Sequence, residues 1–123
     1  MNPPSMRITF EVVLEGSEPS ILAFDGGGRE FTLIAGRGAR VDIQVNDLSV
    51  AERHAQFTWM RIGSEFHMLV EDLHSGLDTF VNGHVVDSTF LENGDKITLG
   101  NAWLVFRLTA PDPGLGMVVA RRG

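Results

Sequence analysis

The residues of this chain with catalytic side chains are few. His54, Asp72 and Ser75 supply the three residue types of a hydrolytic triad. No Gly-x-Ser-x-Gly elbow presents Ser75 as a nucleophile, so acyl transfer is not expected. The loop Ala35-Gly36-Arg37-Gly38-Ala39-Arg40 has the glycines of a phosphate cradle. It lacks the Gly-Lys-Ser/Thr ending and the following helix of a nucleotide site. His54, His67, His74 and His84 show no pair spaced three to five residues apart on one element, and there is no cysteine. A zinc site, a thiolate nucleophile and a disulfide framework are therefore not expected, and no cofactor or small-molecule substrate is assigned.

Composition narrows the class further. The formal net charge of -6 opposes general nucleic-acid binding, which draws its affinity from neutralised phosphates. A small local basic site remains compatible with it. With 43% apolar residues in 123, the chain suffices for one domain and one hydrophobic core. No window reaches the roughly 18 apolar residues of a membrane span. The start, Met1-Asn2-Pro3-Pro4-Ser5-Met6, lacks a secretory pattern. Membrane insertion is not expected, and a cytoplasmic setting is.

The elements that must position any site are strands. Arg7–Leu14, Ile21–Phe24, Glu30–Ala35, Val41–Val45, His54–Ile62, Phe66–Leu73, Thr79–Val81, Val85-Val86, Lys96–Leu99 and Ala102–Leu108 are β-branched, aromatic or alternating. Gly63-Ser64, Asn82-Gly83 and Asn93-Gly94 punctuate them, the last as a hairpin signal. The expected fold is all-β, an antiparallel β-sandwich of two twisted sheets over residues 7–108, with little or no helix. Residues 1–6 and 109–123 read as flexible segments or linker, with Val118-Val119 as an alternative edge-pairing stretch.

Four stretches in order resemble the forkhead-associated (FHA) family. They are Gly36-Arg37 followed by Asp42-Ile43 and Asn46-Asp47; Val50-Ala51-Glu52-Arg53-His54-Ala55; Asp72 through Gly83; and Leu91 through Gly100, with Leu104-Val105-Phe106 as the last strand. The resemblance implies a peptide-recognition module and not an enzyme, whose loops at one end of the sandwich bind a phosphothreonine-containing peptide or protein. Such a side chain carries about -1.5 to -2 charges and three acceptor oxygens, which an arginine, hydroxyls and backbone N–H groups can meet.

Carried over residue by residue, the resemblance makes Arg37 the phosphate-contacting arginine, with Arg40 or Arg53 helping. The family's serine falls at Ala51, and its peptide-binding asparagine at Leu77. One hydrogen bond to a charged group is worth about 1.5–3 kcal/mol, so the resemblance implies weakened phosphate binding. Ser49, two residues away, cannot be assumed to replace the lost hydroxyl. Glu52 and Asp78 bring negative charge to the candidate peptide-binding site, Gly76 brings no donor, and Thr79 is the last candidate of that loop. Gly36, His54, Asn82 and Gly83 are implied to brace the loops. The alternative is a phospho-independent interaction or scaffold domain in a larger assembly, suited by an exposed Leu77.

Overall fold

A computed structural model describes residues 6–110. Eleven strands run in chain order: β1 Arg7–Val13, β2 Ser20–Asp25, β3 Phe31–Gly36, β4 Ile43–Gln44, β5 Ala55–Ile62, β6 Glu65–Asp72, β7 Thr79–Val81, β8 His84–Val86, β9 Ser88–Phe90, β10 Lys96–Leu99 and β11 Ala102–Thr109. They form a six-stranded sheet, β2-β1-β11-β10-β7-β8, and a five-stranded sheet, β4-β3-β5-β6-β9. The described residues contain no helix. The all-β sandwich expected from the alternating runs is what forms. Residues 111–123, including Val118-Val119, and residues 1–5 lie outside the described part.

The period-2 pattern builds the core. Ile8, Phe10 and Val12 of β1 and Leu104 and Phe106 of β11 point inward from one sheet; Ala55, Phe57 and Trp59 of β5 and Met68 and Val70 of β6 meet them from the other. Phe10 joins the layers, its ring 4.8 Å from that of Phe57 and 5.7 Å from that of Phe106. The indole of Trp59 stacks on Phe66 and donates from Nε1 to the Gly26 carbonyl at 3.3 Å, so its one polar atom is satisfied in the core.

Three features differ from the sequence expectation. The sheets are not wholly antiparallel, because β4 pairs with β3 in parallel over Ala35↔Ile43 and Gly36↔Gln44. Residues 37–42 connect the two strands, and only the last two residues of β3 pair with β4. The expected strand Val41–Val45 is correspondingly short: Asp42 caps it, its Oδ2 accepting from Ile34 N–H at 2.8 Å and its own N–H donating to Ile34 C=O. Second, Ser88–Phe90 is a strand with no clear alternation, formed along the edge of β6. Third, Asn93-Gly94 does not close a hairpin. It turns the chain from β9 in one sheet to β10 in the other, with Asp95 N–H donating to Glu92 C=O. Asn93 Oδ1 instead accepts from Leu108 N–H at 2.9 Å. Asn82-Gly83 does close a two-residue hairpin, with φ of +50° and +86°, the positive pair a type I′ turn demands.

Candidate functional site

Three connections at one end of the five-stranded sheet carry the candidate residues: β3–β4, β4–β5 and β6–β7. The first two are clamped by main-chain bonds. Arg37 N–H donates to Ala51 C=O at 2.9 Å and Gly38 N–H to Glu52 C=O at 3.1 Å. Gly36 makes this approach possible: a Cβ there would collide with the Glu52 carbonyl. Glycine at 36 is thus a demand of packing.

The half-buried Arg37 side chain is fixed by its Nε, which donates to Val50 C=O at 3.0 Å. Among the described residues its two terminal nitrogens have no hydrogen-bond acceptor and no carboxylate partner. The guanidinium is oriented at its inner edge and open at its outer one.

The Val50–Ala51 peptide unit joins all three connections. Its carbonyl holds Arg37, and its N–H donates to His54 Nδ1 at 3.1 Å. Since Nδ1 accepts, the proton of the neutral ring sits on Nε2, which donates to Asp78 C=O at 2.9 Å. His54 is fully buried and ties the β4–β5 loop to the β6–β7 loop. Its ring hydrogen-bonds neither Asp72 nor Ser75, so these three residues do not form the hydrogen-bonded chain of a hydrolytic triad. Asp72 serves the loop instead: Oδ1 accepts from Thr79 Oγ1 at 2.6 Å and Oδ2 from His74 N–H at 3.0 Å. His74 takes φ +56° to make that bond.

The structure therefore brings Arg37, Ala51, Glu52, Leu77 and Asp78 to one end, around His54. Arg40, Glu52, Arg53, Gly76 and Asp78 are exposed, and Leu77 keeps 45% of its surface in water. The N–H groups of Glu52 and Arg53 meet no acceptor among the described residues. Two expected placements change. Thr79 is fully buried with its hydroxyl given to Asp72, so it braces the loop and presents nothing to a ligand. Asn82 and Gly83 sit at the other end of β7, where Asn82 bonds Asp95 and Lys96, and do not support the Arg37 loops.

Ser49 is accounted for. Its hydroxyl donates to Asp47 Oδ1 at 2.5 Å and accepts from Asn101 N–H at 2.8 Å, so it is not available in place of the missing hydroxyl at Ala51. The Ser49 hydroxyl, and then its N–H, hold the Asp47 carboxyl below its ordinary value, opposed by slight desolvation. Asp47-x-Ser49 is the local signature of an Asx turn and could have shown this in sequence. The Val50 carbonyl left no such trace. Among the described residues no three His, Cys, Asp or Glu side chains gather to hold a metal. An open cleft of about 330 Å³ lined by Met6, Arg7, Ala23, Phe24 and Asp25 holds none of these residues.

Comparison with known proteins bears on this site. A family model described as FHA domain matches residues 33–100. The glycogen accumulation regulator GarA of Mycolicibacterium smegmatis is 42% identical over 80 residues, 65% of this chain and 48% of that protein. The chain spans about half the length of such curated relatives. A domain solved in a study of phosphothreonine-dependent FHA domain interactions is 26% identical, with TM-score 0.62 over 82% of this chain and 95% of that one. The FhaA FHA domain, crystallised in complex with the intracellular domain of Rv3910, is 28% identical with TM-score 0.63, over 81% of this chain and 99% of that one.

Proposed function

The chain belongs to the FHA family, and on that premise we propose that it is a protein-interaction module that binds a phosphothreonine-containing peptide or protein through the loops around Arg37. The observation that carries this reading is the Arg37 guanidinium, held at Nε by Val50 C=O with both terminal nitrogens unengaged among the described residues. An arginine oriented before binding loses little freedom on meeting an anion, and its fork matches two phosphate oxygens. The unengaged N–H groups of Glu52 and Arg53 in the adjoining loop add main-chain donors. Relatives similar over this same region are described by phosphothreonine-dependent interaction and by a complex with another protein's domain.

Affinity is reduced by the chain's own departures. Ala51 provides no hydroxyl, and the nearest one, on Ser49, is engaged. The exposed carboxylates of Glu52 and Asp78 oppose a dianion, an effect screened over about 8 Å at physiological salt. We assign no catalysis: both nitrogens of His54 are committed to loop backbone, and Asp72 to Thr79 and His74. A cytoplasmic setting belongs to the same proposal. The exposed Leu77 in place of a polar residue favours a second reading, a phospho-independent contact at the same loops.

Calorimetric titration with matched phosphorylated and unphosphorylated threonine peptides separates the two. The phosphorylated form should bind at least about tenfold more tightly, and Arg37→Ala should erase that difference. Equal binding of both forms would replace the first reading with the second.

A further inference from the structure

The edges of the two sheets differ in length. β4, β8 and β9 are two or three residues long and offer little ladder to a neighbour. β2, at the edge of the six-stranded sheet, is six residues long. Lysines, prolines and bulges are the devices that keep an edge from pairing. The strand Ser20-Ile21-Leu22-Ala23-Phe24-Asp25 holds no lysine or proline, and its register with β1 runs unbroken from Val12↔Ser20 to Arg7↔Asp25.

One bond fixes the direction of its backbone groups. Gly26 N–H donates to Met6 C=O at 2.8 Å, in step with the ladder that pairs Asp25 with Arg7 and Phe24 with Ile8. Hydrogen-bonded pairs alternate along an antiparallel ladder, so Phe24, Leu22 and Ser20 give their N–H and C=O groups to β1. Those of Ile21, Ala23 and Asp25 point out of the sheet edge and have no hydrogen-bond partner among the described residues. Side chains alternate too. Ile21 is 67% exposed on the outer face, while Leu22 and Phe24 pack against the core and stay only half-buried. The open cleft of about 330 Å³ is lined in part by Ala23, Phe24 and Asp25, so there is room along this strand.

We propose that β2 pairs antiparallel with β2 of a second copy of this chain, joining two six-stranded sheets edge to edge about a twofold axis at Ala23. The strand's match to itself identifies the occupant. Ladder bonds form only where edge-facing residues meet edge-facing residues. Ala23 opposite Ala23 of the partner subunit engages all of them: Ile21 then meets Asp25 of the partner subunit, Asp25 meets Ile21 of the partner subunit, and each pair exchanges both bonds. A slip of two residues in either direction loses one such pair. The same register sets Leu22 opposite Phe24 of the partner subunit, so the half-buried apolar side chains cover each other. No like charges stand directly opposite, because Asp25 meets an isoleucine. Such a contact is self-complementary and closes at two copies.

The test is sedimentation equilibrium of the full chain, with amide hydrogen exchange followed by NMR. Physiological salt screens the repulsion between two copies of net charge -6. The chain should pass from monomer to dimer with rising concentration and go no further. The amides of Ile21, Ala23 and Asp25 should exchange slowly only in the dimer, and those of Leu22 and Phe24 in both states. Ala23→Pro removes the central donor without removing a bond to β1, and Ala23→Lys sets two like charges opposite each other. Each should weaken dimerisation at least about tenfold, the scale of two lost hydrogen bonds. Ile62→Lys, at an exposed apolar residue of β5, should leave it unchanged. A chain still monomeric at millimolar concentration overturns the proposal, as does association beyond two copies. A dimer that survives Ala23→Lys in folded protein, or edge amides that stay fast in the dimer, overturns it too. Edge amides already slow in the monomer mean that the chain covers this edge itself, with the same consequence. None of these readouts depends on phosphothreonine binding.

Discussion

Placing a hydroxyl at position 51 tests the weakening proposed for this site. The backbone of Ala51 is held on both sides, its N–H by His54 at 3.1 Å and its carbonyl by Arg37 N–H at 2.9 Å. Ala51→Ser therefore adds one oxygen on a Cβ whose direction is already set. The gross value of a hydrogen bond from that hydroxyl to a phosphate is about 1.5–3 kcal/mol. Confining the new χ1 to one of three staggered wells costs about 0.6 kcal/mol. The net expectation is about 0.9–2.4 kcal/mol, roughly fivefold to sixtyfold tighter binding. The assay is calorimetry with phosphorylated and unphosphorylated threonine peptides on the parent, Ala51→Ser, and Ala51→Ser with Arg37→Ala. The gain should appear only with the phosphorylated peptide and vanish when Arg37 is removed. If a folded Ala51→Ser gains less than about twofold, or gains equally for both peptides, position 51 does not face a phosphate and the geometry assigned to these loops is wrong.

Other outcomes follow from the same contacts. His54→Ala leaves Ala51 N–H and Asp78 C=O without their partner and opens a cavity in a fully buried site; urea unfolding should show a loss of about 2–4 kcal/mol, together with weaker phosphopeptide binding. Ser49→Ala should move the Asp47 titration, followed by carboxyl NMR, up toward its ordinary value of 3.8. Because the folded-state value is depressed, Asp47 adds stability that is present above its unfolded value and disappears as pH falls through the folded one. That acid-side loss should be smaller in Ser49→Ala.

What the sequence by itself determined is local. Alternation in Ile8-Thr9-Phe10-Glu11-Val12 and Phe57-Thr58-Trp59 marks strands with one buried face, and those faces are the core of the sandwich. Asn82-Gly83 is legible as a turn because both positive φ values come from its own residues. The order of the four loop stretches, read through their resemblance to the family, implied that Arg37 lies near Ala51. Tertiary structure decided where each polar group spends its hydrogen bonds. Asn93-Gly94 carries the same local signal as Asn82-Gly83 but crosses between sheets, because Leu108 and Phe106 claim Asn93 and Gly94. Thr79 turns inward to Asp72. Ser49 is taken by Asn101, a residue 52 positions along the chain. The Val50–Ala51 peptide becomes the junction of three loops through Arg37 and through an imidazole that also reaches Asp78. Hydroxyls, carbonyls and imidazoles each accept several geometrically equivalent partners. The choice among them is made only when distant strands fix which one lies within about 3 Å, and that choice sets which groups remain open to a ligand.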